Sequence, residues 1–171
     1  MAKPEKAEYD AYYERYVSLV DDEGVLETLA AQPDELHELF NGVPEEKGLY
    51  AYDEGKWTIK ELIGHLNDGE RMFAYRILRI SRGDETPIEG FEQDGYIENA
   101  PSNSRTIADL LDEFRLLRTA NMFMLNHLND EAWLRMGTAS GLPVSVRALA
   151  YIMAGHITHH IHILKERYLV K

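Results

Sequence analysis

Four long stretches of this chain repeat apolar residues at helical spacing, and no stretch shows convincing strand alternation. Apolar side chains that recur every three or four positions lie on one face of an α-helix. The spacing predicts helices over about 9–40, 58–82, 105–128 and 145–168, with the first divided into a short leading helix and a longer one. Four amphipathic faces must be buried against one another, so we expect an all-α four-helix bundle with a short N-terminal helix.

Local signals mark where several of these helices begin and end. Thr58, followed three residues later by Glu61, forms the capping box that starts a helix. Gly83 ends the same helix, since glycine is common just past the last turn. Pro143 or Ser145 begins the last helix, because proline is tolerated in a first turn and serine is a good N-cap. We expect the connection before it, including 137–141, to be a loop.

The segment 83–103 breaks the helical pattern with glycine, proline and acidic residues, and we expect a structureless loop there. A helix of ~25 residues is about 37 Å long, whereas ~20 extended residues reach ~66 Å. The loop can therefore carry the chain back along the bundle, so that the third helix starts beside the start of the second and runs parallel to it. This predicts one long crossover between helices two and three.

Composition limits the possible functions. A chain of 171 residues fits a single domain over residues 1–171. The net charge of −12 repels phosphate backbones, so we expect no nucleic-acid partner. There are no cysteines, which excludes disulfides, iron–sulfur clusters and thiolate zinc sites. No apolar run approaches the ~20 residues that span a bilayer, and the first residues lack an apolar signal core, so we expect a cytoplasmic protein with no membrane partner.

The last predicted helix carries four of the seven histidines. His156 and His160 lie one turn apart, within the apolar stripe of that helix, at about 40° from each other. Two imidazoles one turn apart can chelate a divalent transition metal, or they can be core histidines satisfied by hydrogen bonds. His159 lies on the flank of the stripe and is a less well-oriented alternative ligand, whereas His162 points away from it.

His65, on the margin of the apolar face of the second helix, is a candidate third ligand, since helices two and four can face each other in a bundle. Three imidazoles leave at least one coordination position open, as in catalytic metal sites.

The sequence does not fit other common metal and hydrolase sites. No histidine has a glutamate three residues before it, so the di-iron bundle motif is missing. The chain also lacks the His-Glu-x-x-His and Gly-x-Ser-x-Gly motifs.

Two segments together resemble the DinB-like (DinB/YfiT) superfamily. Lys56–Arg71, KWTIKELIGHLNDGER, is similar to a family signature of Trp-Ser/Thr followed by His-Leu-x-Asp-x-Glu. Gly155–His160, GHITHH, is similar to the His-x-x-x-His segment of the last helix. The resemblance extends over about 51–168. It implies an up-down-down-up bundle with the long connection between helices two and three, in agreement with the loop length.

The resemblance also implies a metal site and a choice of functions. It makes His65, His156 and His160 the ligands of a divalent ion, usually zinc or nickel, with iron and manganese as further candidates. Some relatives are thiol-dependent S-transferases and isomerases that use a low-molecular-weight thiol such as bacillithiol or mycothiol. We therefore expect a metal-dependent enzyme that acts on a small molecule through bound water or thiolate. The alternative is a non-catalytic stress-response or binding module stabilised by its metal. Family members commonly form homodimers, which is a further expectation.

Three polar residues beside the candidate site have open roles. Asp68 can orient an imidazole, be solvated, or pair with Arg71 or Arg76. Arg76 can hold an anionic group of a substrate, although a structural salt bridge is the simpler expectation. Glu70 projects nearer the core than the solvent and can be buried against an arginine, and its role stays unassigned.

Overall fold

The computed structural model describes residues 2–22 and 24–170. The bundle consists of four long helices: α2 (Val25–Leu39), α3 (Ile59–Ser81), α5 (Ile107–Leu125) and α7 (Val146–Ile163). The smaller elements are α1 (Glu14–Val17), α4 (Gln93–Asn99), α6 (Asp130–Leu134), β1 (Met136–Ala139) and β2 (Leu142–Ser145). Single turns of 3₁₀-helix occupy Lys6–Glu8, Ala11–Tyr13, Glu45–Leu49 and Ser102–Ser104, and a π-helical turn, Leu164–Tyr168, extends α7. Within the described residues, no helix is both long and apolar enough to cross a membrane.

Helices α3 and α5 run parallel, as the long crossover predicts. The side chain of Asn67 donates to the carbonyl oxygen of Leu110 at 3.0 Å. Further along both helices, Asn121 donates to Glu70 at 2.9 Å. The later residue of α3 pairs with the later residue of α5, so the two helices run in the same direction.

Helix α2 runs antiparallel to α5. Arg118 donates to the carbonyl oxygen of Leu29 at 2.7 Å, whereas Arg115, earlier in α5, pairs with Asp34, later in α2, at 2.6 Å. The partners therefore advance in opposite directions along the two helices.

Helix α7 runs parallel to α2 and completes the up-down-down-up order. Gln32 donates to the carbonyl oxygen of Ala154 at 2.7 Å, and Glu35 accepts from Lys165, just beyond α7, at 2.9 Å. The expected all-α four-helix bundle with this topology is confirmed.

The crossover is more ordered than expected. The segment 83–103 contains α4, so the prediction of a structureless loop is wrong. The carboxylate of Glu92 accepts from the first backbone N–H groups of α4 and caps this short helix. At the end of the crossover, Asn103 bonds to the capping-box residues Thr58 at 2.7 Å and Glu61 at 2.8 Å. The returning chain is therefore tied to the first turn of α3.

The connection before α7 contains a β-hairpin, contrary to the expectation of a loop. Strands β1 and β2 pair antiparallel, and the turn between them consists of Ser140 and Gly141, with φ of 53° and 76°. Two consecutive residues with positive φ are typical of the type I′ turn, which suits the twist of a hairpin. Pro143 lies within β2 and does not begin the last helix. Ser145 is the N-cap, since its hydroxyl accepts from the backbone N–H of Ala148 at 2.9 Å.

The backbones of α1 and α7 touch at Gly155. A Cβ atom added there would lie 2.0 Å from the carbonyl oxygen of Tyr16. Backbone atoms cannot rotate away from such an overlap, so Gly155→Ala is expected to lower the free energy of unfolding by about 1–3 kcal/mol. Gly24→Ala is the control, because nothing lies within 4 Å of its Cβ position. Chemical denaturation measures both variants, and an unchanged midpoint for Gly155→Ala would contradict the close contact.

A polar layer separates two apolar clusters of the core. One cluster joins the first half of α7 to α1 and the hairpin, and the other joins its second half to the first halves of α3 and α5. The buried side chains of Gln32, Glu70 and Arg118 form this layer, and Gln32 bonds to α7 at Ala154 and Thr158, on either side of His156. The buried polar side chains of the core therefore lie near the middle of the bundle.

Candidate metal centre

His65, His156 and His160 lie together in the bundle, as the sequence predicts. Helix α3 contributes His65, and α7 contributes the other two from successive turns. The Nε2 atoms of His65 and His156 are 3.0 Å apart. One ring nitrogen from each of the three lies within 4.8 Å of the others, and all three residues are buried.

Burial keeps the three imidazoles neutral. It lowers the pKa of His65 to about 4. Burial, and then the neighbouring histidines, lower the pKa of His156 and of His160 well below the ordinary value of 6.5. A neutral imidazole has a free nitrogen lone pair, which is the form that binds a metal ion. The site therefore needs no proton release from its imidazoles to act as a ligand set at neutral pH.

Aromatic rings surround the histidines. Trp57 packs on His65 with ring centroids 4.8 Å apart. Tyr16 and Phe73 contact the ring of His156 edge-on, at 5.5 and 5.7 Å. These rings restrict the rotation of the imidazoles and contribute to the burial that lowers their pKa values.

The residues present fit a divalent transition metal. Nδ1 of His160 is buried and has no hydrogen-bond partner among the described residues, so the site contains a buried nitrogen that these protein groups do not satisfy. Two nitrogens at 2.0–2.1 Å from a tetrahedral ion lie about 3.3 Å apart, near the 3.0 Å separation of His65 and His156. Within the described part of the chain, the clustered metal-ligand candidates are these three histidines, so a fourth position is left for another ligand.

His159, the alternative ligand, lies outside this cluster. It is partly buried and its ring contacts Tyr16 at 5.5 Å. His162 is exposed, in agreement with its position on the opposite side of the helix. His156 and His160, four residues apart, therefore both lie beside His65. His159, three residues after His156, does not belong to the cluster.

Asp68 and Glu70, the acidic residues close to His65 in α3, differ in burial and in hydrogen bonding. Glu70 is fully buried and accepts two hydrogen bonds from Arg118, at 2.7 and 2.8 Å, so its role, left unassigned from the sequence, is a buried pair with an arginine. Asp68 is partly exposed, and burial raises its pKa. Arg71 forms its ion pair with Glu113 and not with Asp68.

Arg76 does not form the expected structural salt bridge within the described residues. Its Nη2 donates to the hydroxyl of Ser140 at 2.8 Å, and its Nε is buried with no hydrogen-bond partner. The crossover and the hairpin cover this part of α3, which explains the burial, and they bring a hydroxyl rather than a carboxylate to the guanidinium.

Two clefts, each of about 310 Å³, reach the histidines from different sides. The first cleft contains His65, His156 and Arg76 and has mainly aromatic walls, formed by Tyr12, Tyr13, Tyr16, Phe73 and Phe91. The second contains His160 and is bordered by Trp57, Tyr52 and Tyr168. Small molecules therefore have a route to the histidine nitrogens despite their burial.

The fold and the site define the class of the protein: an up-down-down-up four-helix bundle with a buried histidine cluster between its second and fourth long helices. A family model of the DinB superfamily matches residues 28–164, and the chain belongs to this superfamily. A similar solved structure is YfiT from Bacillus subtilis, described as a probable metal-dependent hydrolase with an unusual four-helix bundle topology. It has a TM-score of 0.74 and 17% identity, over 93% of this chain and 87% of that chain. No curated protein matches the chain significantly in sequence.

Sequence reasoning missed the contribution of the N-terminal segment and the hairpin to the first cleft. Tyr13 and Tyr16 follow helical spacing in the sequence, which by itself indicates packing, although both line the cleft. Ser140 lay in an expected loop, and only its place before Gly141 in a Ser-Gly pair signals a turn. Which side chains such a turn meets depends on tertiary packing.

Proposed function

We propose that this protein is a metal-dependent enzyme that acts on a small molecule. The observation that carries the proposal is the cluster of three buried, neutral histidines that opens into a cleft. His65, His156 and His160 would hold the ion, with zinc or nickel as the first candidates and iron or manganese as the next. A divalent ion, when bound, supplies Lewis acidity and lowers the pKa of a water or thiol beside it.

The incomplete ligand set favours catalysis over a purely structural ion. Structural zinc sites are usually closed by four protein ligands, whereas catalytic sites keep a position for water or substrate. The described residues provide three imidazoles at the site. The clefts give access to that position, and their aromatic walls exclude bulk water, which strengthens electrostatic interactions with a bound substrate.

The nucleophile we propose is water or a low-molecular-weight thiol. YfiT, with the same fold, is described as a probable hydrolase, which supports water. The sequence resemblance to thiol-dependent transferases supports a thiol. The chain has no cysteine, so a sulfur nucleophile would come from a soluble thiol and not from the protein.

Metal content and turnover of matched histidine variants test the proposal. Protein purified without a histidine tag is expected to contain close to one zinc or nickel ion per chain by mass spectrometry. His160→Ala and His65→Ala are expected to lose the metal, since two imidazoles bind far more weakly than three. His162→Ala is the control, because it removes an exposed histidine from the same helix. Wild-type protein is then screened for hydrolysis of small esters and amides, and for transfer of bacillithiol and mycothiol to electrophiles.

Turnover that disappears in His160→Ala and persists in His162→Ala would support the enzyme. Full metal retention in both His65→Ala and His160→Ala would remove the basis of the proposal. Metal that is bound and lost as expected, together with no turnover in any arm of the screen, would instead identify a metal-stabilised binding module.

A further inference from the structure

The first cleft contains a buried cation as well as the histidines. Arg76 is only 4% exposed, yet its side chain lines the cleft. Burial lowers the pKa of its guanidinium from the ordinary value, and among the described residues the group that counteracts this effect is Tyr13, not a carboxylate. A buried charge is costly unless a partner neutralises it, so buried arginines are normally paired. The other buried arginine of the bundle, Arg118, has such a partner in Glu70.

The donors of Arg76 are mostly unused. A guanidinium has five N–H donors, and one hydrogen bond of Arg76 is made to a protein group, Ser140, within the described residues. Its Nε is buried and has no hydrogen-bond partner among residues 2–22 and 24–170. Ser140 holds a left-handed backbone conformation, with φ of 53°, which is uncommon for a residue with a side chain. The hairpin thus fixes one side of the guanidinium, and the Arg76 side chain also lines the cleft.

Arg76 and the histidine cluster are arranged along one face of α3. Arg76 follows His65 by eleven residues, which gives a rise of about 16 Å and a rotation of about 20° around the helix. Gly69 lies between them on the same face, and a Cβ atom there would be 3.3 Å from the His156 ring. Without that side chain, the cleft stays continuous from the guanidinium to the imidazoles. The guanidinium and two of the imidazoles therefore line one cleft.

We propose that the first cleft binds a small carboxylate, whose carboxyl group pairs with Arg76 and whose apolar body lies against the aromatic walls. This assignment of a substrate class rests on the proposed function, because the histidine cluster marks where the reacting part of the molecule lies. Arginine presents its donors in a planar fork that matches a carboxylate, and the charge-assisted bonds replace those that water would make. The anion supplies the negative charge that this buried guanidinium lacks.

The surroundings favour a singly charged anion over a phosphate. Arg76 is the one arginine or lysine among the residues that line this cleft, and Glu92 lines it as well. A second negative charge on the ligand would have no further cation to neutralise it and would be repelled by that carboxylate. The aromatic walls contributed by residues such as Tyr13, Phe73 and Phe91 suit an apolar body.

Calorimetric titration of the metal-free protein tests the proposal without reference to catalysis. The probes are benzoate, phenylacetate and 3-phenylpropionate, each compared with its neutral amide at the same chloride concentration, and inorganic phosphate. At least one carboxylate is expected to bind about tenfold or more tightly than its amide, since the amide lacks the charge-assisted bonds. The Nε–H signal of Arg76 in the nitrogen–proton spectrum is expected to shift on the same titration.

Arg76→Gln is expected to remove the preference for carboxylate over amide. The control is Arg82→Gln, which makes the same change in charge at an exposed position just past the end of α3. Equal binding of every carboxylate and its amide, an unchanged preference in Arg76→Gln, or tighter binding of phosphate than of the carboxylates would each overturn the proposal. Because metal is absent from these titrations, their failure is separate from failure of the metal proposal, which depends on metal content and turnover.

Discussion

Replacing Arg118 with methionine is expected to lower the free energy of unfolding by about 3–5 kcal/mol, because it leaves Glu70 as an unpaired buried charge. Arg118 is 1% exposed, and the side chain of Glu70 is 0% exposed. Both oxygens of the carboxylate accept hydrogen bonds from the guanidinium. Methionine fills much of the same volume, so the loss reports on charge pairing more than on a cavity.

The effect is expected to be large because the same guanidinium connects several helices. Its Nη1 donates to the carbonyl oxygen of Leu29 at 2.7 Å and to the side chain of Gln32 at 2.9 Å. Gln32 in turn donates to the carbonyl oxygen of Ala154. Helices α2, α3, α5 and α7 thus share one buried network, and loss of its central donor leaves groups unsatisfied on more than one helix.

Two further variants separate charge pairing from packing. Arg115→Met removes an arginine one turn earlier in α5, whose pair with Asp34 is exposed, and is expected to cost less than about 1 kcal/mol. The double variant Arg118→Met with Glu70→Gln is expected to be more stable than Arg118→Met alone, since no unpaired charge stays buried. Urea denaturation measures all of them. A loss for Arg118→Met no larger than that for Arg115→Met would show that the buried pair does not stabilise the fold.

The arrangement of the long helices follows from local sequence, whereas the hairpin does not. Thr58 and Glu61 mark the start of α3 because a capping box acts within one turn of the chain. The length of the crossover predicts that α3 and α5 are parallel, since geometry alone limits how far a chain reaches. The strands around Ser140 and Gly141 are four residues long and lack a clear alternation, and they form against the crossover through Ile88. Such contacts depend on tertiary packing.

In the candidate site, too, part of the arrangement follows from local sequence and part from tertiary packing. The spacing of His156 and His160 places them together on any α-helix, so local sequence predicts their proximity. The approach of His65 requires the bundle, and its position on the margin of an apolar face is the only local signal. The unpaired state of Arg76 was not predictable, since the sequence offers many carboxylates as partners. The packing of the hairpin and the crossover determines that none of the carboxylates in the described part of the chain pairs with its guanidinium.

The metal-free protein is expected to gain about 4 kcal/mol in free energy of unfolding when zinc is added at a thousandfold excess over its dissociation constant. The proposed site exists in the folded state, in which His65, His156 and His160 meet, whereas the unfolded chain offers separated histidines. A chelator is expected to reverse the gain. His160→Ala is expected to show little response to either, whereas His162→Ala, which changes an exposed histidine, responds as the wild type does.

Acidification distinguishes this buried site from adventitious binding to surface histidines. Burial lowers the pKa of His65 to about 4, below its ordinary value of 6.5. As the pH falls through 6.5, the unfolded chain takes up the proton first, so the metal-free protein loses stability between about pH 6.5 and 4. The folded site stays neutral over the upper part of that window, and protons compete weakly with the metal. Added zinc is therefore expected to raise the temperature of thermal unfolding at both pH 7 and pH 5.5. Release of zinc close to pH 6.5, at the ordinary pKa of an exposed histidine, would contradict binding at these three residues.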